Sequence, residues 1–422
     1  MNITVLGLWH LGSVTAACAS KHFNVIGLDL DEVVVGNLLN GKAPLFEPGL
    51  DDLILDQIEA QRLTFTCNAV LACVNADVLW VTYDTPVNDA DESDSAYVLD
   101  RVHSVLPNLA PGTLIVISSQ LPVGTTAILQ RRYPQFRFAY SPENLRLGRA
   151  IEAFEKADRV VVGIPDDSKQ ATLERLFDPF TDHVVFMRLE SAEMVKHALN
   201  SFLAASISFI NEVARVCEHV GADASEVTAG LKSEPRIGPR AYLGAGGPFA
   251  GGTLARDVVT LTQLGEKLGI PLTLIPSILR SNEEHRDWIC HRLQKRFGDL
   301  RGRTFAILGL TYTPQTDTLR RSAAVDLCHD LLAAGAEVRA HDPAVHELPA
   351  DLSSVQLGTL AQALEGADAV IVCTEWPEFR EALWARLLPL LRQPVVVDAN
   401  CFLESQLRDC AGVELYCVGR AS

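Results

Sequence analysis

The sequence predicts an α/β protein in which two doubly wound, parallel-sheet domains are joined by a long central helix. Three observations carry that prediction. An apolar strand, a glycine-containing turn, a helix and a second apolar strand follow one another within the first 35 residues. A helical period then runs for some thirty residues from Ser191. The strand–helix rhythm returns at Arg303. Continuous apolar strands separated by helices mark parallel βαβ units buried on both faces, whereas a three- and four-residue apolar spacing marks a helix.

Taken in order, Met1-Asn-Ile-Thr-Val-Leu6 is the first strand, Ser13 to Ser20 a helix and Asn24-Val-Ile-Gly-Leu-Asp29 the second strand. Ala76–Thr82, Gly112–Ser118 and Arg159–Gly163 continue the pattern, so residues 1–190 form the first domain. The acidic stretch Asn88–Asp94 is a solvated loop leading into a helix. Met194, Val195, Ala198, Leu199, Phe202 and Leu203 give the central helix its period, with no proline to about Val220. Residues 191–295 form a helical middle segment, broken at Gly244–Gly252, where five glycines in nine residues require a loop. Arg303–Leu310, Ala336–Asp342, Ala369–Cys373 and Pro394–Asp398 are strands of a second, smaller domain spanning 296–422.

Composition narrows the function. A chain of 422 residues at 48% hydrophobic and 21% charged is neither disordered nor a stapled mini-domain. Acidic residues number 53 against 36 Lys plus Arg, a net charge of −17, which argues against nucleic acid or an anionic membrane as the partner. No stretch is long and apolar enough to span a bilayer. The ten cysteines contain no C-x-x-C pair and no Lys or Arg precedes Lys21, so neither a zinc site nor a signal peptide is expected. The expectation is a cytoplasmic protein with free thiols and no bound metal.

Gly7-Leu-Trp-His-Leu-Gly12 lies between strand and helix, where the dinucleotide fingerprint G-x-G-x-x-G belongs, and Asp29 closes the next strand. An acid there accepts both ribose hydroxyls of an adenosine and repels a 2′-phosphate, so NAD is expected over NADP. Trp9 stands where the middle glycine would let the backbone approach the pyrophosphate, and plain strand–helix packing is the other reading of this motif alone.

Further motifs give a resemblance. Glu47-Pro-Gly-Leu50, Asp84-Thr-Pro86, Leu121-Pro-Val-Gly-Thr-Thr126, Ser141-Pro-Glu-Asn-Leu-Arg146, Lys196 with Asn200, Ile207–Glu212, Arg236-Ile-Gly238, Thr316-Asp317 with Arg320 and Ser322, and Thr374-Glu-Trp376 recur in order over nearly the whole chain. In these the sequence resembles the UDP-glucose/GDP-mannose dehydrogenase family, the nucleotide-sugar 6-dehydrogenases. The resemblance implies two Rossmann-like domains: an N-terminal NAD domain and a C-terminal domain holding the nucleotide-sugar substrate. A central helix would form a homodimer. It further implies oxidation of the sugar C6 alcohol to a carboxylate in two hydride transfers, the intermediate aldehyde being captured by a cysteine.

Carried over by position, the resemblance implies that Lys196 and Asn200, four apart and so on one helix face, stabilise the oxyanion and hold the catalytic water. It makes Glu143 the base for hydrolysis and Asp257 the residue that positions or activates water. Gly7, Trp9, His10, Leu11, Gly12, Asp29, Thr85, Gln120 and Arg320 would hold the cofactor. Glu143, Leu145, Lys196, Asn200, Phe249 and Gly251 would contact substrate, and Arg236 would reach the sugar-nucleotide pocket of a neighbouring subunit. Arg236, Arg240, Arg256 and Arg320 would supply the local positive field that pyrophosphates need.

The chain also departs from the family pattern. Aligning Ala245 through Asp257 on the family loop P-G-x-G-Y-G-G-S-C-F-P-K-D sets Phe249 on the tyrosine and Thr253 on the nucleophilic cysteine, and no thiol lies between Cys217 and Cys290. Ser119-Gln120 replaces a serine–threonine, Leu147 replaces a glutamate and Thr313 replaces the lysine of F-K-P. Three functions stay open. One is the four-electron oxidation, with Thr253 as substitute nucleophile or the aldehyde hydrate oxidised directly. The second is a two-electron or redox-neutral, epimerase-like reaction with Gln120 or Asp257 moving protons. The third is a nucleotide-sugar-binding protein without catalysis. The first predicts two NADH per product, the second one or none, the third no turnover.

Overall fold

The computed structural model describes residues 1–86, 88, 93–143, 145, 147–250 and 253–421, and the chain divides into two compact units, Met1–Leu199 and Asn200–Ser422. In the first unit, strands β1 (Asn2–Leu6), β2 (Asn24–Leu28), β3 (Leu63–Thr66), β4 (Val78–Val81), β5 (Leu114–Ile117), β6 (Arg137–Tyr140), β7 (Val160–Gly163) and β8 (Val184–Met187) form one sheet ordered β3-β2-β1-β4-β5-β6-β7-β8. Alternate residues feed two cores. Ile3, Val5, Val78, Trp80, Leu114 and Val116 pack on one face, and Leu6, Leu79, Val81, Ile115 and Ile117 on the other. A strand buried on both faces has no reason to alternate in polarity, which is why these strands read as unbroken apolar runs.

The first six strands are parallel in the doubly wound order 3-2-1-4-5-6. Beyond them the sheet turns. β7 meets β6 antiparallel at Tyr140↔Gly163, and β7 and β8 run parallel to each other. The sheet is thus mixed, with a parallel nucleotide-binding core.

The second unit repeats the order. Strands β9 (Thr304–Leu308), β10 (Glu337–His341), β11 (Gln356–Leu357), β12 (Ala369–Val372), β13 (Val395–Asp398) and β14 (Glu414–Tyr416) lie β11-β10-β9-β12-β13-β14, all parallel. Phe305, Ile307, Ile371 and Val397 face one core and Ala306, Leu308, Val370 and Val396 the other.

The turn after the first strand is built the same way in both units. Gly7 (φ +93°) donates its N–H to Leu28 at 2.9 Å, and Gly309 (φ +83°) to His341 at 2.8 Å. Only glycine takes such a φ without strain. The acid after the second strand then accepts the following N–H: Asp29 from Leu8 at 2.7 Å, and Asp342 from Leu310 at 2.6 Å. The two acids differ in what remains. Asp342 also accepts from Thr311 and from the Trp376 indole, with Ala344 on its other oxygen, so protein groups surround it. Among the described residues Asp29 accepts one further N–H, from Asp31 at 3.1 Å.

The central helix runs Leu189–Val220. Near its start Glu193, fully buried, accepts from the N–H of Gly124 and from the N–H and hydroxyl of Thr126. It thereby caps the helix Thr125–Arg132 from outside its own chain segment. Further along, Phe202 (67% exposed), Phe209 (52%) and Val216 lie on the surface seven residues apart. After the acidic loop the expected helix forms as Ser95–Val105, with Asp94 accepting the Tyr97 N–H as its N-cap; residues 89–92 of that loop are outside the described set.

One expectation needs correcting. The thiols are not all free: Cys401, in the turn after β13, is bonded to Cys417, just past β14, while the other eight cysteines are free. The two are 16 residues apart, with Cα atoms 5.4 Å apart, and it is the β13–β14 pairing that brings them together. No sequence motif announces that. Among the described residues no helix is long and apolar enough to cross a membrane, and no cluster of His, Cys, Asp and Glu could hold a metal ion.

Candidate active site

The turn between β1 and the helix His10–Ser20 is shaped for a dinucleotide. A Cβ at Gly12 would fall 1.7 Å from the Gly7 carbonyl oxygen, and one at Gly7 would fall 2.6 Å from the Tyr83 ring. Neither position tolerates a side chain, so the helix N-terminus lies tight against the strand. That is the cradle a pyrophosphate requires. Asp29 stands at the end of β2 with one lone pair on each oxygen left over, as ribose hydroxyls require.

Trp9, at the middle-glycine position, contributes its carbonyl, which accepts the Ser13 N–H at 2.9 Å; its indole is 47% exposed. His10 offers a cofactor only its backbone, because its imidazole pairs with Glu47 Oε2 at 3.0 Å. Leu11 is buried. Thr85 donates its hydroxyl to the Gln120 carbonyl at 2.6 Å, joining two of the predicted cofactor residues directly.

Glu47 has a role the motif alone did not reveal. Besides His10 it accepts the N–H of Gly148 at 2.9 Å and of Ala150 at 2.8 Å. Burial by itself would push its carboxyl up, but the hydrogen bonds from His10 and from Ala150 and Gly148 outweigh burial and hold it below the usual carboxylate range. One anionic side chain therefore ties the cofactor helix to the start of the helix Ala150–Glu155.

In the same unit, Lys196 is only 5% exposed. Its Nζ donates to the Glu143 carbonyl at 2.7 Å and to Glu143 Oε1 at 3.2 Å, while Glu143 Oε2 accepts the Leu145 N–H at 2.9 Å. An ammonium is buried only where such partners compensate its lost hydration. The lysine, the glutamate and Leu145 are thus one assembly, with a cation fixed beside a carboxylate.

One turn on along the central helix, Asn200 belongs to the second unit, and its amide donates to Asp257 Oδ2 at 2.5 Å. Asp257 is fully buried on the helix Leu254–Leu268. Thr253, exposed, stands immediately before this helix and one turn from Asp257.

The described part of the glycine-rich segment, residues 244–250, is a loop, as expected, and side chains hold it at Gly246, Gly247 and Phe249. Asn211 accepts the Gly246 N–H at 3.0 Å, Asn400 accepts that of Gly247 at 2.8 Å, and Asn282 accepts the Phe249 N–H and donates to its carbonyl at 2.9 and 2.8 Å. His285 donates to the Gly246 carbonyl at 2.7 Å. The loop, with Lys232, Tyr242, Phe249, Tyr312 and Asn400, lines a cavity of about 500 Å³. These anchors lie 33 to 153 residues from their partners, which is why sequence spacing could not expose them.

His285 carries a pH expectation. Burial pushes its pKa below the ordinary value of 6.5, the Gly246 carbonyl opposing this only in part. The native state therefore keeps the ring neutral while the unfolded chain takes up a proton, so stability falls as pH drops below 6.5. In melting curves from pH 8 to 5, the wild type should lose up to about 1.4 kcal/mol per pH unit more than His285→Gln within that window. Superimposable profiles would refute the assignment.

The remaining predicted residues are dispersed. Arg236 is exposed and paired to Glu234 at 2.8 Å, and Arg320 is exposed, its N–H bonded to the Thr318 hydroxyl. The Arg256 Nε is buried without a hydrogen-bond partner among the described residues. Gly251 lies outside the described residues, as do Asn144 and Arg146 of the Ser141–Arg146 motif.

Comparison with known proteins gives the family. Residues 1–181 match the NAD binding domain of the UDP-glucose/GDP-mannose dehydrogenase family, 190–284 its central domain and 306–405 its UDP binding domain. UDP-glucose 6-dehydrogenase TuaD of Bacillus subtilis is 36% identical over 429 residues, covering 99% of this chain and 93% of that protein. A UDP-glucose dehydrogenase from the archaeon Pyrobaculum islandicum superposes with a TM-score of 0.89 at 30% identity, over 100% of this chain and 98% of the other. The UDP-D-ManNAc dehydrogenase of Pyrococcus horikoshii shares the fold, with a TM-score of 0.85 at 24% identity over 100% and 99% of the two chains. The chain belongs to the UDP-glucose/GDP-mannose dehydrogenase family and is an NAD-dependent oxidoreductase of nucleotide sugars.

Proposed function

We propose that this protein oxidises the C6 alcohol of a UDP-hexose, UDP-glucose foremost, to the carboxylate. The observation that carries the reading is the Lys196–Glu143 assembly: a buried ammonium held within 3.2 Å of a carboxylate and a carbonyl. A fixed cation stabilises the oxyanion formed when an alcohol or hydrate oxygen loses its proton, and Glu143 is the acceptor for that proton or for one from water. Asn200 and Asp257 form a second polar pair, one that orients water. A protein that only binds would have no use for two such buried arrangements. NAD, when bound, supplies the hydride acceptor; Gly7, Gly12, the N–H groups of His10 and Leu11, Thr85, Gln120 and Asp29 would hold it, with Arg320 as a further contact.

The specificity for UDP rests on the similarity of the C-terminal segment to a UDP binding domain and on relatives named UDP-glucose 6-dehydrogenases. The test is incubation with NAD and UDP-, GDP-, TDP- and ADP-sugars, reading NADH and product mass together. NADH with UDP-glucose is expected; none with any sugar would overturn the reading.

The matched segments support a division into a cofactor domain (1–190), a central segment (191–295) and a sugar-nucleotide domain (296–422). A homodimer is supported by Phe202, Phe209 and Val216, an apolar stripe left on the surface of the central helix. Phe209→Glu should turn a dimer into a monomer in light scattering, whereas an unchanged mass would place the contact elsewhere. Free thiols support a cytoplasmic setting, and the product class, an activated uronic acid, suits polysaccharide synthesis.

A further inference from the structure

We propose that Asn400 is the positioning residue of the glycine-rich loop and that the Cys401–Cys417 bridge holds it in place, so that thiol–disulfide exchange at Cys401 tunes affinity for the sugar nucleotide. The inference rests on the reading above, that the chain oxidises a UDP-hexose alcohol. It gives a task to a bond that the oxidation itself does not use.

Asn400 meets the loop at two neighbouring residues. Its Oδ1 accepts the Gly247 N–H at 2.8 Å, and a Cβ built on Gly246 would fall 2.0 Å from the same oxygen, so the loop backbone lies directly against this side chain. Asn400, Gly246 and Gly247 all line the cavity of about 500 Å³, together with Lys232 and Tyr242. Moving Asn400 therefore moves the cavity wall.

The bridge fixes Asn400 through the next residue. Cys401 has a φ of +53°, a region that a residue with a side chain occupies only when its surroundings hold it there. Its N–H donates to the Asp398 carbonyl at 3.0 Å and its Sγ is bonded to Cys417. Cys417 is the fixed end, 2% exposed. Just past it the Val418 N–H donates to the Ala399 carbonyl at 3.2 Å, the Gly419 N–H donates to Glu218 Oε1 at 2.9 Å, and the Gly419 carbonyl accepts the Ala224 N–H at 3.0 Å. Glu218, on the central helix, also accepts from the Trp288 indole at 2.8 Å and pairs with Arg292 at 2.5 Å. The bond thus ties the turn that carries Asn400 to a post on the central helix.

The exchange balances with a dithiol as reductant. One of its thiolates attacks Cys401 Sγ, since Cys401 is half-buried and Cys417 is covered. A bond to the reductant forms, the Cys401–Cys417 bond breaks, and Cys417 leaves as a thiolate that takes a proton. The second thiol of the reductant then displaces Cys401, so the protein gains two electrons and two protons and the reductant becomes a disulfide. Freed of the bond, Cys401 relaxes out of the left-handed region and turns Asn400 away from Gly247. The turn itself survives, because Asp398 still accepts the Leu403 N–H at 2.7 Å and β13 stays paired with β14.

The test compares oxidised with dithiothreitol-reduced full-length protein, the wild type beside Cys417→Ser and Asn400→Ala. Thiol titration of the denatured wild type should count eight thiols before reduction and ten after it. KM for UDP-glucose should rise about tenfold on reduction, the effect of losing one hydrogen bond that sets the loop, with kcat little changed. C417S should show the reduced KM with and without dithiothreitol, and N400A should show a raised KM that reduction raises no further. Peptides covering residues 244–250 should exchange amide hydrogen faster in the reduced wild type. The proposal is overturned if the oxidised wild type counts ten thiols, if the reduced wild type keeps its KM, or if N400A retains the full response to reduction. Absence of NADH from the wild type would sink the function itself, while hydrogen exchange would still decide the latch, equal rates in the two states overturning it.

Discussion

Lys196→Met should lower kcat about 100- to 1,000-fold, the effect of removing one preorganised charged donor from a buried site. The size follows from burial. Lys196 is 5% exposed and donates to both the carbonyl and the carboxylate of Glu143. Methionine fills the volume but removes the donor shared by two Glu143 oxygens, and breaking one side of a buried pair costs about 3–5 kcal/mol, so the melting temperature should fall too. Affinity for NAD should hold, because the cradle at Gly7 and Gly12 is built from other elements. Steady-state kinetics with an NAD titration separates these effects. A variant with normal kcat would remove Lys196 from the chemistry.

Gly12→Ala should abolish NAD binding and destabilise the first unit by about 3 kcal/mol, the upper range for forcing an extra methyl into a packed site. The methyl would sit 1.7 Å from the Gly7 carbonyl oxygen and 2.8 Å from Thr82 Oγ1, which itself donates to that carbonyl at 2.7 Å. The helix must therefore lift off β1, carrying away the N–H groups that would face the pyrophosphate. Calorimetry with NAD and thermal melting check both halves. Retained NAD affinity would mean the dinucleotide sits elsewhere.

What the sequence exposed and what it hid divide along a physical line. Strands buried on both faces, such as β4 with all four residues buried or β13 with Val395 to Val397, carry their signal in composition. β3 and β6 mix polar with apolar residues, and β11 has two residues, so they gain strand character only from a neighbour already in place. The reversal at β7 is invisible for the same reason: direction is a property of the pairing.

The candidate site follows suit. Lys196 and Asn200 were named through the resemblance, and their four-residue spacing added only that they share a helix face. Asn282, His285 and Asn400 were not legible at all, since each matters only through a partner far along the chain. Glu47 stood in a recognisable motif, yet its task of joining two helix starts required three contacts that only the folded chain provides. The Cys401–Cys417 bridge was hidden equally, by a strand pairing rather than by a spacing.

The central claim is oxidation of a UDP-hexose alcohol to the acid, and counting electrons tests it most directly. With UDP-glucose limiting and NAD in excess, the reaction should yield two NADH per UDP-glucuronate, quantified by absorbance and product mass in the same sample. One NADH with accumulating aldehyde, a new epimer with no NADH, or no reaction would each contradict it.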